Sequence, residues 1–116
     1  MNIIEVIGGS KSQKKYVKSM AEYCCDMLMP RMKSLDIEIH VKDFHKDDNY
    51  GYAWPVEEGL NPRDFELEIN KSKRLRRLLE TVAHEMVHVK QFARNELYEP
   101  SAKPVSYTHL TLPTKA

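Results

Sequence analysis

The chain has 116 residues, 41% of them hydrophobic and 30% charged, and its formal net charge is +1. This length is enough for one small domain with a modest core, and the balanced charge argues against a generally basic nucleic-acid binder. No run is long and apolar enough to cross a membrane, and the N-terminus does not resemble a secretory signal. Cys24 and Cys25 are adjacent, which suits neither a disulfide framework nor C-x-x-C metal spacing. We therefore expect reduced thiols in a cytoplasmic protein of a bacterium or a phage-infected host cell.

The N-terminal part begins with the short apolar stretch Ile3–Ile7, which ends at Gly8-Gly9-Ser10. These glycines lack the lysine and the spacing of a phosphate-binding P-loop. From Ser12 to about Leu35 the pattern is helical, with a kink or break expected just before Pro30. The helix carries a stripe that we expect to pack against a sheet, formed by Tyr16, Met20, Tyr23, Met27 and Leu28.

Three strands and a second helix follow. The segments Leu35–Phe44 and Asp64–Asn70 alternate between apolar and polar residues, and Gly51–Val56 is an aromatic strand between them. A helix is predicted from about Lys73 to Asn95, with Ser72 as a plausible cap. The expected fold is therefore α+β: a helix, a small three-stranded antiparallel sheet, then the second helix.

The second helix contains His84-Glu85-Met86-Val87-His88, an H-E-x-x-H motif. Residues four apart lie on one face of a helix, so His84 and His88 can offer two ring nitrogens to one metal ion. Glu85 lies beside them, where a carboxylate can act as the general base that takes a proton from metal-bound water. The motif predicts a Zn²⁺ site and peptide-bond hydrolysis by zinc-activated water.

The alternative is that these three residues form a solvated helix face. At 100° per residue the two histidines point away from an apolar stripe made of Leu75, Leu78, Leu79, Val82, Met86, Val89, Ala93 and Leu97. The residues around the histidines are nevertheless uncharged, which is unusual for a surface in free contact with water. This pattern favours histidines on the floor of a cleft over core histidines.

The C-terminal residues need a separate interpretation. The run Val105–Thr114 corresponds codon by codon to a transposase adapter used in sequencing libraries. We therefore expect residues 105–116 to be a disordered artefact, which removes His109 as a candidate ligand. Without Lys115, the chain has 17 basic and 17 acidic residues. The natural protein is expected to continue past Pro104, so the domain at residues 1–104 is expected to be incomplete.

The run Thr81–Leu97 closely resembles the motif helix of SprT-like zinc metallopeptidases, above all those encoded by bacteriophages and their hosts. The resemblance extends to Gly51-Tyr52, to Pro62–Ile69, to Leu78-Leu79-Glu80 and to parts of the first helix, and covers most of residues 10 to 100. It implies a zincin-like fold, zinc-dependent peptidase activity, His84 and His88 as ligands, and Glu85 as general base.

The resemblance places a third zinc ligand downstream of the motif helix, where this sequence departs from the pattern. Gln91 and Arg94 stand at the positions that would matter in a G-x-x-H extension. Glu96 and Glu99 are expected to cap or solvate the helix end. The third ligand is therefore unknown and expected in missing C-terminal sequence, so the fragment itself could be inactive.

Two other functions remain open. A protease acting on DNA-bound proteins, like the Spartan relatives of SprT, would use a basic cluster at the start of the motif helix: Lys71, Lys73, Arg74, Arg76 and Arg77. Positive charge is unfavourable there because of the helix dipole, although Glu66, Glu68 and Glu80 can offset it. An inactive or structural zinc-binding module is the weaker alternative, because structural sites usually have four ligands and are rich in cysteine.

Overall fold

A four-stranded mixed sheet and two helices make up the structure, a computed structural model that describes residues 1–43, 51–57, 62–71 and 74–96. In chain order the elements are β1 (Ile3–Ile7), α1 (Lys11–Leu28), β2 (Asp36–Lys42), β3 (Gly51–Pro55), β4 (Asp64–Asn70) and α2 (Leu75–Ala93). The α+β class is confirmed, while predictions about Ser72, Lys73, Leu97, Glu99 and the residues after them lie outside the described residues.

The prediction of three antiparallel strands is wrong in both number and direction. The strand order is β1-β2-β4-β3, with β1 parallel to β2, β2 parallel to β4, and only β3 antiparallel to β4. The apolar stretch Ile3–Ile7 is the additional strand. It pairs in register with β2, Ile4 beside Ile37, and α1 provides the connection that two parallel strands need.

One face of the sheet forms the core. Ile37, Ile39 and Val41 alternate with exposed or half-buried polar residues in β2, and β4 alternates in the same way. These buried side chains pack in one cluster with residues of both helices. The two helices therefore cover the same face, and the opposite face carries the polar side chains of β2 and β4.

The helix α1 begins at a capping box. The hydroxyl of Ser10 accepts a hydrogen bond from the Gln13 amide at 3.1 Å, and the Gln13 side chain accepts one from the Ser10 amide at 2.8 Å. The helix ends at Leu28, two residues before Pro30, so the predicted break is confirmed.

The prediction that the aromatic and methionine stripe of α1 packs against the sheet is wrong for three of its five residues, while Met20 and Leu28 are partly buried against the core cluster. The buried residues of the helix are Val17, Ala21, Cys24 and Cys25. Tyr16, Tyr23 and Met27 are 44%, 60% and 63% exposed. The side of α1 that carries these smaller side chains faces the core, and the side that carries the three larger ones faces outward.

Arg63 joins the start of β4 to the end of α2. Its guanidinium donates to the carbonyl of Ala93 at 3.2 Å and to that of Pro62 at 2.8 Å. Carbonyls in the last turn of a helix have no partner within the helix, so this arginine acts as a C-terminal cap supplied by another element.

Cys24 and Cys25 are free and buried, as expected from their spacing. Burial raises the pKa of both thiols, to about 11 for Cys25, where Cys24 and nearby carboxylates add to the effect. Across the part of the chain that the structure describes, no helix has the length and hydropathy needed to span a bilayer.

Candidate metal centre

The helix α2 places His84 and His88 one turn apart. Their ring centroids are 5.6 Å apart and the ring planes meet at 67°. Zinc–nitrogen bonds are about 2.0–2.1 Å long, so one nitrogen from each ring can reach the same ion. The spacing in the sequence therefore brings the two imidazoles together as predicted.

The two histidines were predicted to lie on the floor of a cleft, and the structure buries this part of the helix further than that. His88 and Glu85 are fully buried, and His84 is partly buried. The cause is that β3 packs against α2, so α2 buries a wider arc than its apolar stripe alone. Ring nitrogens of both histidines, Nε2 of His84 and Nδ1 of His88, are shielded from solvent.

Glu85 is a fully buried carboxyl group. Neither of its oxygens makes a hydrogen bond of regular geometry with a described residue. Burial raises the pKa of Glu85 from 4.5 to about 8. The main-chain amide of Gly51 has the opposite, smaller effect and lowers this pKa. Without a nearby cation, the neutral form is favoured because an uncompensated buried charge is costly.

Gly51 is the residue of β3 that meets this carboxyl group. A Cβ atom at this position would lie 2.6 Å from the Glu68 carbonyl oxygen, 3.2 Å from Cγ of Glu85 and 3.3 Å from Cγ2 of Thr81. A larger residue would therefore clash with the main chain of β4 and crowd the two side chains of α2. The sequence pointed to Gly51 only through the family resemblance, because its partner is 34 residues away in the chain.

Gln91 is a further polar residue that the sequence did not assign to the site. It follows His88 by three residues and His84 by seven, so all three lie along one side of α2. Its Oε1 atom is buried and has no hydrogen-bond partner among the described residues. The helical spacing of the sequence already places Gln91 beside the two histidines, but nothing in the sequence assigns it a role.

No third ligand appears in the described part of the chain, where no group of three or more His, Cys, Asp or Glu residues could hold a metal ion. Glu96 forms ion pairs with Lys90 at 2.8 Å and with Arg94 at 3.6 Å. Glu96 therefore forms ion pairs at the C-terminal end of α2, in agreement with the expectation that it caps or solvates this end. His109 lies outside the described residues, as does the whole segment expected to be adapter-derived.

The basic cluster lies at the start of α2. Lys71, Arg74, Arg76 and Arg77 are exposed, and Lys73 lies outside the described residues. Arg76 pairs with Glu80 one turn later at 3.4 Å. Arg74 is the N-cap residue and makes no side-chain capping bond. The first turn of α2 also has no acidic residue that would offset the positive end of the helix dipole.

Comparisons of the chain with known protein families, with curated proteins and with solved structures gave no match.

Proposed function

We propose that this chain is a zinc-dependent metallopeptidase domain of the SprT-like kind, with His84 and His88 as metal ligands and Glu85 as general base. The observation that carries the proposal is the site itself. Two imidazoles one helical turn apart lie beside a fully buried carboxyl group that lacks a regular hydrogen bond, at an edge of the sheet.

The residues present fit a cation. A buried carboxyl group without a strong donor is destabilising, and a positive ion nearby would compensate its charge. Imidazole and carboxylate groups are also the ordinary ligands and general bases of catalytic zinc sites, which hold three protein ligands and leave one position open. The third ligand of the proposed site comes from outside the described residues.

When bound, zinc would lower the pKa of a coordinated water to about 7 and polarise the carbonyl of the substrate. The role of the chain is then to move the proton. A carboxylate oxygen of Glu85 accepts a proton from the attacking water and passes it to the leaving amide nitrogen. The apolar setting of Glu85 suits this exchange, because its pKa of about 8 in the absence of metal lies well above that of an exposed glutamate.

The strand β3 is the edge strand of the sheet that lies nearest the motif helix. It pairs with β4 on one side, and the amide of Val56 donates to the Asp64 carbonyl at 2.8 Å. Main-chain groups alternate along an antiparallel strand, so Ala53 directs its amide and carbonyl away from β4, beside the helix that carries the motif. Ala53 is 1% exposed and four of the five residues of β3 are buried, so this edge is covered in the structure and is not open to an added peptide strand.

The substitution Glu85→Gln tests the assignment of the general base. In the complete protein, we expect the variant to retain zinc, measured by metal analysis after dialysis, and to lose peptide hydrolysis by at least about a hundredfold. The matched control is Glu80→Gln, which removes an exposed carboxylate from the same helix. Undiminished hydrolysis in Glu85→Gln would show that this carboxylate is not the base. Loss of zinc from Glu85→Gln, but not from His84→Ala, would overturn the ligand assignment.

A second candidate is a peptidase that acts on DNA-associated proteins. Its support is the exposure of Arg74, Arg76 and Arg77 at a helix end where positive charge is unfavourable. We expect DNA binding that weakens steeply with salt and is lost when the three arginines become glutamines. Absence of binding at low salt would remove this candidate and leave the peptidase proposal intact.

A further inference from the structure

The proposed function does not use the exposed apolar side of α1. We call Tyr16, Met20, Tyr23 and Met27 the α1 stripe. Three of the four side chains are between 44% and 63% exposed, and Met20 is partly buried. The successive spacings of four, three and four residues are those of the narrow seam along which two helices pair.

The α1 stripe continues into an apolar hollow between the two helices. The hollow has a volume of about 460 Å³ and is lined by Met20, Leu75, Arg76, Leu79, Glu80 and Ala83. Leu75 is itself 40% exposed. Exposed tyrosine and methionine beside such a hollow are typical of interfaces and not of a solvated helix face.

In the α1 stripe, tyrosine and methionine alternate in such a way that two antiparallel copies place each tyrosine opposite a methionine. Read from the N-terminus it is Tyr-Met-Tyr-Met, and read from the C-terminus it is Met-Tyr-Met-Tyr. If two copies of α1 lie antiparallel, Tyr16 therefore faces Met27 of the other copy, and Met20 faces Tyr23. Each contact places a thioether against an aromatic ring, which is a favourable pairing.

The charged residues of α1 are also distributed in a way that favours an antiparallel second copy. Four exposed lysines lie in its first half, at positions 11, 14, 15 and 18, and the exposed Glu22 and Asp26 lie in its second half. This arrangement opposes the dipole of the helix itself, since neither the first turn is acidic nor the last turn basic. At 100° per residue, Lys15 and Asp26 are the two of these that lie nearest the stripe, on the same flank of it, and an antiparallel copy would bring Lys15 of one helix near Asp26 of the other.

We propose that the α1 stripe binds a second copy of this chain, with the two α1 helices antiparallel about a two-fold axis between Met20 and Tyr23. The stripe and the charges each match their own reverse, as an isologous interface requires. An unrelated helix as partner would require neither match. The neighbouring hollow between α1 and α2 leaves room for side chains of the second copy.

Sedimentation equilibrium of the full chain tests the proposal. We expect a reversible dimer with a Kd on the order of 10 µM, because one helix pair makes a smaller interface than the standard size. Tyr23→Lys should raise the Kd at least about tenfold, with circular dichroism confirming that the variant is folded. Ile3→Lys is the matched control, since Ile3 is 59% exposed on β1, and it should leave the Kd unchanged. A chain that stays monomeric up to about 1 mM, or a Kd that Tyr23→Lys does not change, would overturn the proposal.

Charge reversal tests the antiparallel direction separately. Lys15→Glu alone and Asp26→Lys alone each place like charges opposite one another in a dimer of identical chains. A mixture of the two variants restores both opposite-charge contacts in the mixed dimer. We expect each variant to dimerise several-fold more weakly than the wild type and the mixture to recover, with the recovery reduced at high salt. A mixture that dimerises no better than its components would refute the antiparallel arrangement.

Discussion

The pKa of Glu85 makes the stability of the metal-free protein depend on pH in an unusual direction. The perturbation is Glu85→Gln, which keeps the shape of the side chain but cannot ionise. In the folded wild type the pKa of this group is about 8, against 4.5 for an ordinary glutamate. Folding therefore favours the protonated form, and the free energy of unfolding should fall as the pH rises from about 4.5 to about 8.

The size of this decrease in the free energy of unfolding follows from the same pKa shift. Each pKa unit corresponds to about 1.4 kcal/mol. Because Glu85 ionises in the unfolded chain and not in the folded one, the free energy of unfolding is lower by about 3 kcal/mol at pH 7 than at pH 4. Typical stabilities are about 5–15 kcal/mol, so the effect is a large fraction of the total. For a domain of this size it corresponds to a decrease of roughly 6–10 °C in Tm per pH unit.

The assay is urea unfolding of metal-free wild type and Glu85→Gln across pH 5 to 8, after treatment with a chelator. Other titrating groups affect both proteins, so the relevant quantity is the difference between the two profiles. We expect this difference to change by about 1.4 kcal/mol per pH unit in favour of the glutamine variant. Parallel profiles would refute the reasoning, because they would show that Glu85 ionises in the fold without penalty.

Three further substitutions test the packing around the site and the ends of the helices. Gly51→Ala should destabilise the fold by about 1–3 kcal/mol and impair hydrolysis, because its Cβ would lie 2.6 Å from a backbone oxygen and 3.2 Å from Glu85; a variant with wild-type Tm and activity would contradict this. Arg63→Ala should lower the free energy of unfolding by about 1–3 kcal/mol, since the arginine donates to the last turn of α2, whereas an unchanged urea midpoint would exclude a capping role. Ser10→Ala should cost about 1 kcal/mol through loss of the α1 cap, while Ser10→Gly should cost only a few tenths.

The local elements were predictable because their signals are short in range. The alternation of Phe65, Leu67 and Ile69 with glutamates gives the strand β4 with its bounds and its buried face. The helical period of the motif region predicts the bounds of α2 to within two residues at each end. Both patterns arise from residues that bury one side, and that side is fixed by the geometry of the element.

The pairing of the strands was not predictable from these patterns. Ile3–Ile7 alternates over only five residues, and in the structure only Ile4 is fully buried, so its pattern is weak. Its partner β2 lies beyond α1, and whether two strands run parallel depends on where the chain returns. The sequence also left open which strand forms the edge near the motif helix. The structure places β3 there and β4 inside the sheet.

The two predictions about side-chain environment that failed concern the two surfaces for which we propose a function. The histidines were expected on the floor of a cleft, whereas His88 and the neighbouring Glu85 are buried. The α1 stripe was expected to pack against the sheet, whereas three of its four side chains are exposed. In each case a rule that usually maximises stability is broken: a carboxyl group is buried with only a main-chain amide acting on it, and large apolar side chains are left in water. A fold retains such costs when a ligand or partner removes them, and natural proteins break these rules mainly at functional sites. A cation beside Glu85 and a second copy on the α1 stripe would each remove one of these costs, which gives both proposals a common physical basis although their tests are independent.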